Sequence, residues 1–275
     1  MLTLQYNAST LVPVEVEGLT PTLVRNMSLP DIERFEIFNG NHKLPLAEFF
    51  TVTGDPSDAR IQFEGELQGV HWIGAQMTEG EVQVRGNAGR HVGSEMTGGT
   101  IHVHGNAGDW VGGEMHGGLI HIHGNAGHLI GAAYRGSAKG MTDGTILIDG
   151  SAGNEVGHTL RRGLIAIGGS CGDFVGFSML AGTVLLFGDS GIRPAAGMRR
   201  GTVAFLGDKP PALLGTFFRS GVSQPLFLSL YLQQLRQLGF EVPAGCWPAN
   251  YRMFRGDHVA LGRGELLIRE TPAAG

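Results

Sequence analysis

The stretch Gly99-Thr100-Ile101-His102-Val103-His104-Gly105-Asn106-Ala107-Gly108-Asp109-Trp110-Val111-Gly112-Gly113-Glu114-Met115 decides the fold, because the chain repeats it. Its anchoring glycine recurs as Gly80, Gly99, Gly118, Gly144, Gly163, Gly182 and Gly201. Every interval is 19 residues except the 26 between Gly118 and Gly144, which carries seven extra residues. An imperfect earlier copy runs from Ile61 and Phe63 through Gly65, Gly69, Ile73, Gly74 and Met77. A fixed period with a constant internal order marks a solenoid, in which each copy buries its apolar side on the next.

Within one unit, the alternation Ile101-His102-Val103-His104 has period two, so it is a short strand with one face in and one face out. Ile101 and Val103, Ile120 and Ile122, Ile146 and Ile148, and Ile165 and Ile167 are expected to stack as inward columns. A small inward residue follows each corner (Ala88, Ala107, Ala126, Ala152, Cys171, Ser190). Beyond it come Val92, Val111, Ile130, Val156 and Val175, and then Met96, Met115, Leu160, Met179 and Met198. Three inward points separated by glycine corners make a triangular coil, and successive coils pair through parallel strands about 4.8 Å apart. The expectation is an all-β chain built as a right-handed parallel β-helix of 19-residue coils. A left-handed hexapeptide helix fits poorly, since 19 is not a multiple of six.

Residues 59–208 are assigned to this rod. Residues 1–58 read as a β-rich N-terminal cap that covers an exposed strand edge. Residues 209–275 hold an amphipathic helix from about Gln224 to Leu238, with Leu226, Phe227, Leu230, Tyr231, Leu235 and Leu238 at helical spacing, then an extended tail.

Composition narrows the function. The 275 residues include 46 glycines, about one in six, and only 16% are charged; so quiet a surface suits a chain partly covered by other subunits. With a net charge of −5 and no basic stripe, nucleic-acid binding is not expected. Met1–Tyr6 lacks the features of a signal peptide and no apolar run approaches a membrane span, so a cytoplasmic location is expected. Cys171 and Cys246 have no CxxC partner; Cys171 takes the place of the inward alanine, and Cys246 stays undecided.

Outward strand positions change along the rod, from Gln83, Arg85, His102, His104, His121 and His123 to Leu147, Asp149, Ala166, Leu185, Phe187, Ala204 and Leu206. The apolar end must be covered by the C-terminal helix, by another chain, or by both, which makes Leu185 and Phe187 candidate partner contacts. The four histidines form a two-by-two patch. Imidazoles so placed can hold a divalent metal, but repeats copy their own residues and no carboxylate in those two strands completes a ligand set, so the patch reads as a polar ladder on a contact surface and no metal site is assigned. The seven-residue insertion presents Tyr134, Arg135 and Lys139 as further partner contacts. The series Asn87, Asn106, Asn125, Ser151, Ser170, Asp189 reads as turn bonding. No nucleophile elbow, zinc-protease helix or phosphate loop is present, and no catalytic or cofactor-binding residue is assigned. A free-standing β-helix enzyme acting on carbohydrate or acyl substrates is the reading from another class.

The Gly-Asn-Ala-Gly turns, the x-x-Φ-Gly-x-x-Met-x-Gly-Gly corners (Φ aliphatic) and the break from Gly131-Ala132-Ala133-Tyr134-Arg135-Gly136 to Gly140-Met141 resemble the C-type subunit of formylmethanofuran dehydrogenase and its bacterial counterpart in the formyltransferase/hydrolase complex. Asn39-Gly40-Asn41-His42-Lys43-Leu44 and Gly256-Asp257…Gly262-Arg263-Gly264-Glu265-Leu266 extend the likeness over most of the chain, and the repeat itself is similar to the C-terminal domain of the glutamate synthase large subunit. The resemblance implies a scaffold subunit of a one-carbon enzyme with a formyltransferase subunit, an amidohydrolase-like subunit and an active or degenerate dehydrogenase-like subunit. In the bacterial version a formyl group passes from tetrahydromethanopterin to a methanofuran analogue and is released as formate, completing formaldehyde oxidation in methylotrophs. In the archaeal version a molybdenum or tungsten pterin subunit reduces carbon dioxide. Three lysines (Lys43, Lys139, Lys209) against 17 arginines favour the mesophilic bacterial version.

Overall fold

A computed structural model describes residues 1–270; the final five residues of the expected C-terminal segment lie outside the described ones. The strands are β1 (Leu2–Tyr6), β2 (Val14–Glu15), β3 (Glu36–Asn39), β4 (His42–Pro45), β5 (Phe50–Gly54), β6 (Arg60–Glu64), β7 (Val70–His71), β8 (Glu81–Arg85) and β9 (Thr100–Val103). They continue as β10 (His116–Ile122), β11 (Asp143–Ile148), β12 (Leu164–Ile167), β13 (Thr183–Leu186), β14 (Thr202–Phe205), β15 (Phe218–Ser223), β16 (Tyr251–Gly256) and β17 (Gly264–Arg269). Two short helices, α1 (Pro21–Val24) and α2 (Leu29–Glu33), lie in the N-terminal segment, and α3 (Leu226–Gln237) follows β15. The chain is mostly β, with a 13-stranded, mostly parallel sheet ordered β15-β16-β17-β14-β13-β12-β11-β10-β9-β8-β6-β1-β5 and a small four-stranded sheet, β4-β3-β2-β7.

The register follows the repeat. Ile101 pairs with Ile120, Ile120 with Ile146, Ile146 with Ile165 and Ile165 with Val184. These residues are fully buried, as are Met96, Met115, Met141 and Met179. The small residues meet in the same order, Ala107 with Ala126 and Ala152 with Cys171, through isolated parallel bridges. The insertion leaves the ladder unbroken, because Met141 returns to the inward methionine position and Thr142 N–H bonds Met115 O at 2.7 Å.

Two features depart from the sequence reading. β1 pairs in parallel with β6, and β17 in parallel with β14, so segments outside the periodic stretch extend the main sheet at both ends. Antiparallel partners then finish each end, β5 on β1 and β16 with β15 beyond β17. The sheet thereby meets its edge problem with antiparallel strands as well as a cap. The corners are also not made by glycine alone. Trp72, His91, Trp110, Leu129, Phe174 and Arg193 have φ of 53–64°, and Gln76, Glu95, Glu114, Thr159 and Ser178 are left-handed too. With the exception of Arg193, their N–H groups are held by the adjacent unit, as in Trp110 N–H to His128 O at 2.9 Å, and this bonding offsets the steric cost of the conformation.

Candidate functional site

The histidine patch forms as expected and gains a member. His102 on β9 and His121 on β10 are cross-strand partners, and the His102 and His123 rings are stacked with centroids 5.8 Å apart. The carboxylate missing from those two strands arrives from the next unit. Asp149 follows β11 and accepts from His121 Nε2 and His123 Nδ1, each at 2.8 Å. Burial pushes the Asp149 carboxyl up, but the two imidazole hydrogen bonds outweigh it and hold the group below the usual carboxylate range. His121 is only 1% exposed and lies near Phe240. His104 is engaged elsewhere, with Gln83 Oε1 at 2.7 Å and Arg85 Nη1 at 3.1 Å.

The insertion does not present its three candidates alike. Arg135 and Lys139 are exposed. Tyr134 is corrected from a free surface contact to a packed residue: its ring centroid is 5.1 Å from Trp110 and 5.8 Å from His91. Its hydroxyl sits beside Ser94 and Gly113, and burial pushes the phenol up to about 12. The receiving surface is a column of left-handed corners, in which Trp72 and His91 stack at 4.0 Å and His91 and Trp110 at 5.9 Å. Burial, followed by the charges of His71 and Arg90, lowers the His91 pKa to about 4.

Leu185 and Phe187 require a second correction. They are buried with Leu147, Ala166, Ala204 and Leu206 under Leu228, Leu232 and Leu235 of α3 and under Phe240, Cys246 and Tyr251. The chain's own C-terminal segment covers the outward apolar face, which leaves these two positions out of a partner's reach. On the other side of α3, Leu226, Phe227 and Leu230 are exposed. A groove of about 450 Å³ lies along that side, lined by Thr183, Thr202, Tyr231, Gln234 and Glu265 among others. Near the insertion, Ala138, Arg199, Val259 and Leu261 line a second groove of about 670 Å³.

The asparagine series bonds between units and not within a turn. Asn87 Oδ1 accepts Asn106 N–H at 2.8 Å, Asn106 Oδ1 accepts Asn125 N–H at 2.7 Å, and Asn125 Oδ1 accepts Ser151 N–H at 2.8 Å. A parallel series absent from the sequence reading runs from Asp109 through His128, Asn154 and Asp173 to Ile192 N–H. Burial pushes the Cys171 thiol up to about 12 and also raises Cys246, so both thiols stay protonated near neutral pH.

A family model described as the GXGXG motif matches residues 67–214. This chain belongs to the GXGXG motif family. It is similar, at 31% identity and a TM-score of 0.88, to a chain in the crystal structure of the formyltransferase/hydrolase complex (FhcABCD) from Methylorubrum extorquens in complex with methylofuran. That match covers 98% of this chain and 100% of the other. The C-type subunit of tungsten-containing formylmethanofuran dehydrogenase 2 from Methanothermobacter wolfeii is 35% identical over 85 residues, or 30% of this chain. Its counterpart in molybdenum-containing formylmethanofuran dehydrogenase 1 from Methanothermobacter thermautotrophicus is 41% identical over 79 residues, or 28% of this chain. These two alignments span 32% and 20% of the relatives' own length. The resemblance read from the glycine turns therefore holds end to end for the transferase/hydrolase structure and over a segment for the dehydrogenases. Among the described residues of this GXGXG chain, no helix is long and apolar enough to cross a membrane.

Proposed function

We propose that this chain is the non-catalytic scaffold subunit of a formyltransferase/hydrolase complex, which moves a formyl group from tetrahydromethanopterin to a methanofuran-type carrier and releases formate. The end-to-end match to a chain of the FhcABCD structure carries this reading. The in-register isoleucine column supports the finer fold reading, a right-handed parallel β-helix used as a rigid rod. The partners are a formyltransferase subunit, an amidohydrolase-like subunit and a dehydrogenase-like subunit, and both carriers are handled by them. Contacts are assigned to the exposed side of α3 and to Arg135 and Lys139 of the insertion, whose apolar and basic surfaces suit docking.

The test is co-expression of the tagged chain with those three subunits. Capture of all of them in fixed ratio, with formyl transfer in the assembly and none in the isolated chain, is the expected result. Turnover by the isolated chain, on formyl carriers or on carbohydrate, would sink the scaffold reading. The segment matches to the archaeal dehydrogenases favour a second reading, the C-type subunit of a dehydrogenase, and a pterin-bound metal in the captured complex would select it.

A further inference from the structure

His102, His121 and His123 each offer one ring nitrogen, and these three atoms all lie within 4.8 Å of one another. Asp149 bonds one nitrogen of His121 and one of His123, while His102 has no side-chain hydrogen-bond partner among the described residues. We infer that these four side chains form a binding site for one divalent transition cation of the zinc class, tying three successive repeat units together. Repetition accounts for the histidines but not for the carboxylate. The outward series runs Glu64, Arg85, His104, His123, Asp149, and its second acid stands where it meets two imidazoles.

The donor chemistry fits. Three imidazoles and a carboxylate are a borderline nitrogen and oxygen set that suits zinc and its neighbours. A carboxylate bonded to ligating imidazoles either joins the set or fixes the rings' tautomer and orientation. His121 is walled from solvent by the C-terminal cover, whereas His123 is exposed and gives a route of entry. His104 stands outside the set, because Arg85 places a positive charge beside its ring.

The full chain, freed of metal with a chelator, is titrated with Zn2+ by calorimetry and with Co2+ by visible absorption. The expected result is one cation per chain and intense d–d bands with Co2+. The double variant His102→Gln/His123→Gln loses binding at least tenfold, Asp149→Asn weakens it about 10- to 100-fold, and His104→Gln leaves it unchanged. His121 is spared because its burial makes a folding defect the first effect of changing it. Circular dichroism and thermal melting confirm that each variant is folded, and Zn2+ raises the melting midpoint of the parent chain but not of the double variant. No binding, or binding that survives in the folded double variant, overturns the inference. Neither outcome touches the scaffold reading, which rests on co-purification.

Discussion

Gly131 closes the corner of the unit that carries the insertion, with φ at +64°, and a Cβ added there would stand 2.8 Å from Ile165 Cδ1. Its next neighbours, Ile146 Cδ1 and Met141 Cβ, are both 3.6 Å away and need not move. Gly131→Ala therefore combines two costs. The left-handed backbone costs about 1–2 kcal/mol for a residue with a Cβ, and overpacking against the fully buried Ile165 costs about 1–3 kcal/mol. The sum is about 2–5 kcal/mol. Ile165→Val removes the offending methyl and alone costs about 0.5–1.5 kcal/mol. In the double variant the overlap is gone, so the two substitutions couple favourably by about 1–3 kcal/mol. The repeat supplies its own control: Gly157 has φ at +70°, but its added Cβ would be 3.3 Å from Val184 Cγ2, because the unit two further along carries valine there. Gly157→Ala should cost little beyond the backbone term. Urea unfolding of the four variants and the parent, followed by circular dichroism and tryptophan fluorescence, measures each value. Additivity of Gly131→Ala and Ile165→Val within about 0.5 kcal/mol, or equal damage at Gly131 and Gly157, would refute the account of corners packed against the aliphatic column two units along.

Asn106→Ala removes one link of the inter-unit asparagine series, but the site is exposed and water can replace the acceptor. A loss of only about 0.5–1.5 kcal/mol is expected in the same unfolding assay. His91, lowered from 6.5 to about 4, leaves the unfolded chain to take up a proton that the folded chain refuses. Its contribution is thus fully present above about pH 6.5 and is lost as pH falls toward about 4; thermal melts across that window should fall more steeply for the parent than for His91→Gln. Leu232→Ala, on the buried side of α3, should cost about 2–5 kcal/mol. Leu230→Ser, on the exposed side, should change stability by no more than about 0.5 kcal/mol yet reduce capture of partner subunits in the co-expression assay.

What could be read in advance was local and periodic. A corner glycine, two alternating aliphatics, a small residue and a methionine recur at a constant offset, and a repeated pattern has one economical solution: each unit on top of the last. The aliphatic columns, the buried place of Cys171 and the helix near residues 226–237 all follow from that offset or from helical spacing. The histidine patch followed as well, since 19 residues separate His102 from His121.

The rest depended on contacts between segments that no period connects. β17 lies beside β14 after a detour of some 60 residues, and β1 lies beside β6 across the small second sheet, so neither carries the signature of its neighbours. The same detour lays α3 and Phe240 over Leu185 and Phe187, turning an apparent docking face into a second core. The period placed Asp149 outward in the next unit, but its hydrogen bonds to His121 and His123 at 2.8 Å depend on side-chain directions that the period leaves open. Aromatic residues at left-handed corners gave no sequence signal, because isolated Trp or His disfavours that conformation and only hydrogen bonds from the adjoining unit hold it. Periodicity thus specified the stack, while its covering, its two ends and the company kept by its polar side chains arose from long-range packing, whose energy depends on which distant surfaces meet.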